Sequence, residues 1–182
     1  MAGINTDVAW YGTLMAGILG LLFALVTASA LKREESGTDR MQEIASAIRR
    51  GALAFLNREY QVLGIFVLVV ALLLYFFLDA RLAIAFVTGA ILSILAGNLG
   101  MRIATLANVR TAWAAKKSLN DGLSVAFRSG AVMGFTVVSL GLLGVLALYR
   151  LFNDPNVIFG FSFGASSVAL FARVGGGIYT KA

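Results

Sequence analysis

Five stretches of uncharged, mostly apolar sequence divide this chain, each about 17 to 24 residues long, and they leave few ways for it to fold. They are Val8–Leu31, Val62–Leu78, Leu82–Met101, Ser129–Tyr149 and Pro155–Ala172. An α-helix needs about 20 such residues to cross a hydrocarbon core of ~30 Å. With 59% hydrophobic and 13% charged residues, the chain lacks the polar surface of a water-soluble domain. Alternating strands of about ten residues are absent, which argues against a membrane β-barrel. Helices remain as the way to satisfy the backbone in lipid. The expected fold is therefore all-α: a polytopic transmembrane bundle with spans at about residues 8–31, 62–78, 82–101, 129–149 and 155–180. The first run has no basic leader and is too long for a cleavable signal, so it reads as a permanent helix.

Between the runs lie the charges. Lys32, Arg33, Arg40, Arg49, Arg50 and Arg58 fall between the first and second runs. Arg102, Arg110, Lys116, Lys117 and Arg128 fall between the third and fourth, whereas the other two connections hold one arginine each. The positive-inside rule then places the N-terminus outside, both long connections in the cytoplasm and Lys181 in the cytoplasm. The net charge of +6 thus reads as a topology signal, not as a nucleic-acid surface. From Arg40 the apolar positions Met41, Ile44, Ala45, Ile48, Ala52, Phe55 and Leu56 keep a helical period. One helix is expected from Arg40 to Leu78, with residues 40–61 as an amphipathic cytoplasmic extension. Residues 102–128 form the second cytoplasmic connection. Within it the third helix continues past Met101, and Asn120-Asp121-Gly122 is expected to turn the chain.

Small residues mark expected close contacts: Gly12, Ala16 and Gly20 on the first helix, Gly130, Gly134, Gly141 and Gly144 on the fourth, and Gly160 and Gly164 on the fifth. Arg128, near the start of the fourth helix, reads as a residue that snorkels to the interface. The last twenty residues concentrate the chemistry. Arg173 follows an uncharged helical stretch, and Gly175, Gly176 and Gly177 precede Tyr179, Thr180 and Lys181. An arginine at the centre of a bilayer costs about 2.5–3.5 kcal/mol, so such a residue usually faces a polar interior and an acidic partner. Arg173 is expected to point inward. On a continuous helix Lys181 shares its face, ~12 Å further along the axis. A cationic face opening to the cytoplasm suits a polyanion.

Several chemistries are excluded. The chain has no cysteine and no histidine, so disulfides, most zinc sites and a Ser-His-Asp triad are ruled out. GGGIYTK lacks the spacing of a P-loop, and no strand precedes it. Transporter, channel and pump remain open on these grounds.

The motifs narrow the choice. ARVGGGIYTKA (Ala172–Ala182) resembles the signature of membrane-integral, ion-pumping inorganic pyrophosphatases. GALAFLNREY (Gly51–Tyr60), GMRIATLANVRTA (Gly100–Ala112) and GLSVAFRSGAVMG (Gly122–Gly134) are also similar to that family, so the resemblance runs along essentially the whole chain. It implies a homodimeric pump with many further helices, in which cytoplasmic pyrophosphate hydrolysis drives export of protons or sodium ions, and of which this chain is the first part. It further implies that Arg173 belongs to an ion gate, paired with acids on later helices, and that Lys181 contacts pyrophosphate. Mg²⁺ would be the cofactor, held by carboxylates that begin just after the motif. No catalytic residue and no metal ligand is assigned within this chain, which alone is expected to be inactive. The implied chemistry is metal-assisted phosphoryl transfer to water, with lysines offsetting the substrate's charge. The expected location is the cell (inner) membrane, with the lipid bilayer as a partner and no nucleic acid. The alternative is a non-catalytic five-helix membrane protein with a structural or partner-binding role. An unrelated secondary transporter would show inverted repeats or broken helices.

Overall fold

The computed structural model of the chain describes residues 6–179, which form five helices: α1 (Thr6–Arg33), α2 (Asp39–Phe77), α3 (Ala80–Lys117), α4 (Leu119–Phe152) and α5 (Asn156–Tyr179). All five are long and apolar enough to cross a membrane. α2 is one continuous helix across the amphipathic segment and the apolar run, and α3 runs on well past Met101. In both, an unbroken helical period without proline carries the backbone hydrogen bonds from the polar to the apolar segment.

The helix ends follow from local chemistry. Thr38 caps α2 by accepting from Met41 N, and Asp79 caps α3 by accepting from Arg81 N. Asn153 ends α4 in the left-handed region at φ 48°, which asparagine tolerates. Asp154 Oδ1 then accepts from Asn156 N, and Pro155 sits where its missing N–H does no harm. The reversal between α3 and α4 differs from the sequence expectation. A single extended residue, Ser118, ends α3 and caps α4 by accepting from Asp121 N. Asn120, Asp121 and Gly122 are the first turns of α4, where an acid suits the helix dipole. Gly122 lets this tight reversal close: a Cβ there would lie 2.8 Å from that of Ala115.

α3 is the central helix and touches α2, α4 and α5, whereas α1 packs mainly on α4. Three apolar clusters hold the bundle. Ala85, Leu148, Val157 and Phe161 join α3, α4 and α5. Leu31, Ala107 and Val125 join α1, α3 and α4, and Leu63, Ala90 and Val168 join α2, α3 and α5. The α3–α5 crossing is the closest. A Cβ on Gly89 would overlap the carbonyl oxygen of Phe161, and one on Gly164 that of Phe86. Ser93 Oγ donates across the same crossing to the Ala165 carbonyl at 3.1 Å.

Two other small-residue faces differ from expectation. On α1 the buried positions are Gly17, Gly20, Ala24 and Leu31, while a Cβ on Gly12 would meet open space. Of the four glycines expected to pack on α4, Gly144 alone makes a close contact, against Leu92 and Phe161; Gly130, Gly134 and Gly141 have nothing within 4 Å of a Cβ.

Candidate functional site

The end of the bundle that carries the basic connections is tied together by polar contacts. Arg110, on α3, donates from Nε to the Glu34 carbonyl at 3.1 Å and from its terminal nitrogens to the carbonyls of Lys32 and Leu106. It therefore caps the C-terminal end of α1, whose last carbonyls have no partner within the helix. Arg128 pairs with Glu34 at 3.0 Å, so it meets an acid of the α1–α2 connection rather than only snorkelling. Glu35 accepts from Trp113 Nε1 at 2.7 Å and from Lys117 Nζ at 3.0 Å. The Trp113 hydrogen bond, followed by that of Lys117 and its charge, holds the Glu35 carboxyl below the usual glutamate range. Lys116 Nζ lies 5.3 Å from the Trp113 ring centroid, a cation–π distance. Glu34, Glu35, Arg110, Trp113, Lys117 and Arg128 line a polar cleft of about 490 Å³ together with Arg33, Asp121 and Ser124.

α5 brings the glycine segment of the last motif against α2. It stays helical through Gly175, Gly176 and Gly177 to Tyr179. Its buried positions Val157, Gly160, Phe161, Gly164 and Val168 repeat every three or four residues and face α3. Arg173 lies five residues past Val168, about 140° around the helix, and is exposed. It points away from the other four helices, and among the described residues it forms no ion pair. Lys181, the expected pyrophosphate contact, lies outside the described residues, as does Thr180. The glycine segment meets α2 instead: a Cβ on Gly175 would lie 3.3 Å from Glu59 Oε1 and 3.4 Å from Phe55 Cζ. Glu59 stands one turn before the apolar run beginning at Val62. A lone carboxylate next to Arg58 in a basic connection carries no distinguishing signal.

The described residues bring together no group of three His, Cys, Asp or Glu side chains able to hold a metal ion.

Five membrane-length helices around a central α3, with an arginine on the uncovered face of the last, define a multi-pass integral membrane protein. Comparison with known proteins gives the family. Residues 18–182 match the family described as inorganic H⁺ pyrophosphatase, and the chain belongs to that family. It is 46% identical over 170 residues to a K⁺-insensitive pyrophosphate-energized proton pump of Methanosarcina mazei, a match covering 92% of this chain and 25% of that protein. It is 50% identical over 174 residues to proton pump 2 of the same description from Moorella thermoacetica, covering 91% and 26%. A putative K⁺-stimulated pyrophosphate-energized sodium pump of Clostridium tetani is 49% identical over 171 residues, covering 93% and 25%. The chain thus spans about a quarter of the length of the curated relatives it matches.

Proposed function

We propose that this chain supplies five helices of a pump that couples pyrophosphate hydrolysis on the cytoplasmic side to export of protons or sodium ions. The observation that carries the reading is the match of nine-tenths of the chain to pyrophosphate-energized pumps at 46–50% identity. Proton and sodium pumps match about equally, so these five helices suit either ion.

In this reading Lys181 binds a pyrophosphate oxygen and offsets its charge. Arg173 pairs with a carboxylate contributed from outside α1–α4, favours its charged form and links hydrolysis to ion movement. Mg²⁺ is held by groups in the part of the relatives' length that this chain does not span, so the 182 residues alone are inactive. The basic connections face the cytoplasm of the cell (inner) membrane, and the working pump is a homodimer.

The test compares protein made from the complete reading frame with residues 1–182 alone, both in lipid vesicles with magnesium pyrophosphate. The complete protein should hydrolyse pyrophosphate and acidify or load the vesicles, and the shorter chain should do neither. Turnover by residues 1–182 would place the hydrolytic groups within them. Inactivity of the complete protein would favour a non-catalytic membrane role. Lys181→Ala in the complete protein should raise KM for pyrophosphate by roughly tenfold or more, the loss of about 1.4 kcal/mol or more of charge-assisted contact.

A further inference from the structure

We propose that Glu59, with Tyr60, forms a binding site for a small monovalent cation, H⁺ or Na⁺, in the cleft between α2, α3 and α5. Three polar atoms of these two consecutive residues are buried without a hydrogen-bond partner: both carboxylate oxygens of Glu59 and the Tyr60 hydroxyl. They border a cleft of about 250 Å³ whose other walls include Leu63, Ser93, Gly97, Met133 and Gly176.

A dehydrated carboxylate without a donor is unfavourable, and a positive occupant removes the penalty. Among the described residues, no neighbour supplies that charge. Along α2, Arg58 lies beside Glu59, but its guanidinium donates to Gln61 Oε1 at 3.0 Å. Among the described residues, the walls contributed by α3, α4 and α5 contain no charged or titratable side chain. Ser93, the polar wall residue on α3, already donates to the Ala165 carbonyl and keeps its hydroxyl lone pairs as acceptors. The cleft therefore offers oxygen acceptors and no cationic donor. A proton would sit on one Glu59 oxygen and turn that group into a donor toward its surroundings. A sodium ion would be held by the Glu59 carboxylate and the Tyr60 phenol oxygen, with the Ser93 hydroxyl on the cleft wall as a further acceptor.

The position gives the site a mechanical connection. Glu59 Oε1 lies against Gly175, two residues from Arg173 on the same helix, so the charge state at Glu59 acts on the segment that carries the candidate gate arginine. The binding proposal itself does not rest on the pump reading, since occupancy can be read without hydrolysis.

The experiment uses protein from the complete reading frame in lipid nanodiscs and follows the infrared carbonyl stretch of protonated carboxylic acids. Wild type and Glu59→Gln are compared across pH, with Na⁺ or choline at constant ionic strength. A proton site gives a carboxylic acid band that Glu59→Gln removes and that persists at proton concentrations below those protonating an exposed glutamate. A sodium site gives a Glu59-dependent carboxylate band whose frequency shifts with Na⁺ and not with choline. Spectra in which Glu59→Gln changes nothing beyond an ordinary exposed glutamate, or a Glu59 carboxylate insensitive to both ions, would overturn the proposal. The latter is what pairing with a cationic side chain from elsewhere in the protein would give. Circular dichroism checks that the variant folds. If it does not, Tyr60→Phe keeps the carboxyl and decides the matter: the proposal requires it to shift the band or its ion dependence, and no shift refutes it.

Discussion

Replacing Gly164 by alanine isolates the closest contact in the bundle. The added methyl would overlap the carbonyl oxygen of Phe86 and lie 3.1 Å from the Ala90 nitrogen. Both obstacles are backbone atoms, so no rotamer change relieves them, and α3 and α5 must separate. Overpacking of this kind costs about 1–3 kcal/mol, and a backbone obstacle places it toward the upper end. Separation also lengthens the 3.1 Å bond from Ser93 to the Ala165 carbonyl, a further loss of about 1 kcal/mol. Alanine's better helix propensity returns about 1 kcal/mol. The net expectation is a loss of about 2–3 kcal/mol. Gly141→Ala is the matched control, since nothing lies within 4 Å of its added methyl. It should be neutral or stabilising by up to about 1 kcal/mol. Unfolding of both variants in mixed micelles of rising sodium dodecyl sulfate fraction, followed by circular dichroism, compares them directly. Equal stability of Gly164→Ala and wild type, or an equal loss in both variants, would refute the close-crossing argument.

Three further expectations concern the polar end of the bundle. Arg110→Ala removes the donors to Lys32, Glu34 and Leu106, and should cost about 1.5–3 kcal/mol; faster amide exchange in residues 32–38 checks it. Glu35 has a lowered folded pKa, so its contacts contribute stability above the unfolded pKa and are lost as pH falls through the folded value. In a Trp10→Phe background, Trp113 fluorescence should change only below the usual glutamate range, and Glu35→Gln should abolish that transition. Because this chain has no cysteine, single cysteines can map its orientation: Ser36→Cys should react with an impermeant thiol reagent only from the cytoplasmic side, and Ala80→Cys only from the outside.

Helix extents were legible because the signal for them is local. The period running from Met41 through Leu56 into the apolar run gave α2 its length, and Ile103, Leu106 and Val109 did the same for α3. The α3–α4 reversal was misplaced because asparagine and aspartate favour turns and first helical turns alike. Nothing in the sequence announces that one extended Ser118 suffices. The contact face of α1 includes Gly20 as expected but turns away from Gly12 and Ala16 for a different reason. A helix apolar all round has no polar face to set its rotation, so the side chains opposite decide. Here Leu143 sits where Gly17 makes room, and the Ser139 hydroxyl approaches Gly20. Glu59 stayed hidden because its significance lies in what surrounds it: Gly175 on one side and an apolar cleft on the other, both distant in sequence.

The rotation of α5 shows how position and chemistry constrain each other. Its glycine face must meet α3, because only glycine lets the two backbones approach as they do. Once Gly160, Gly164 and Val168 are fixed against α3, helical geometry leaves Arg173 on the opposite side, beside the exposed Leu170 and Val174. A guanidinium left there against hydrocarbon would carry the penalty of about 2.5–3.5 kcal/mol expected for a charge at mid-membrane. Packing on α3 therefore cannot relieve it, and α1, α2 and α4 present no acid to it among the described residues. The demand for a partner is directed outward, away from these helices. An inward-facing Arg173 would meet α3, which carries no acid, and could not report on anything beyond the bundle. An outward-facing one can join α5 to a carboxylate on another segment, and the proposed coupling role requires that connection.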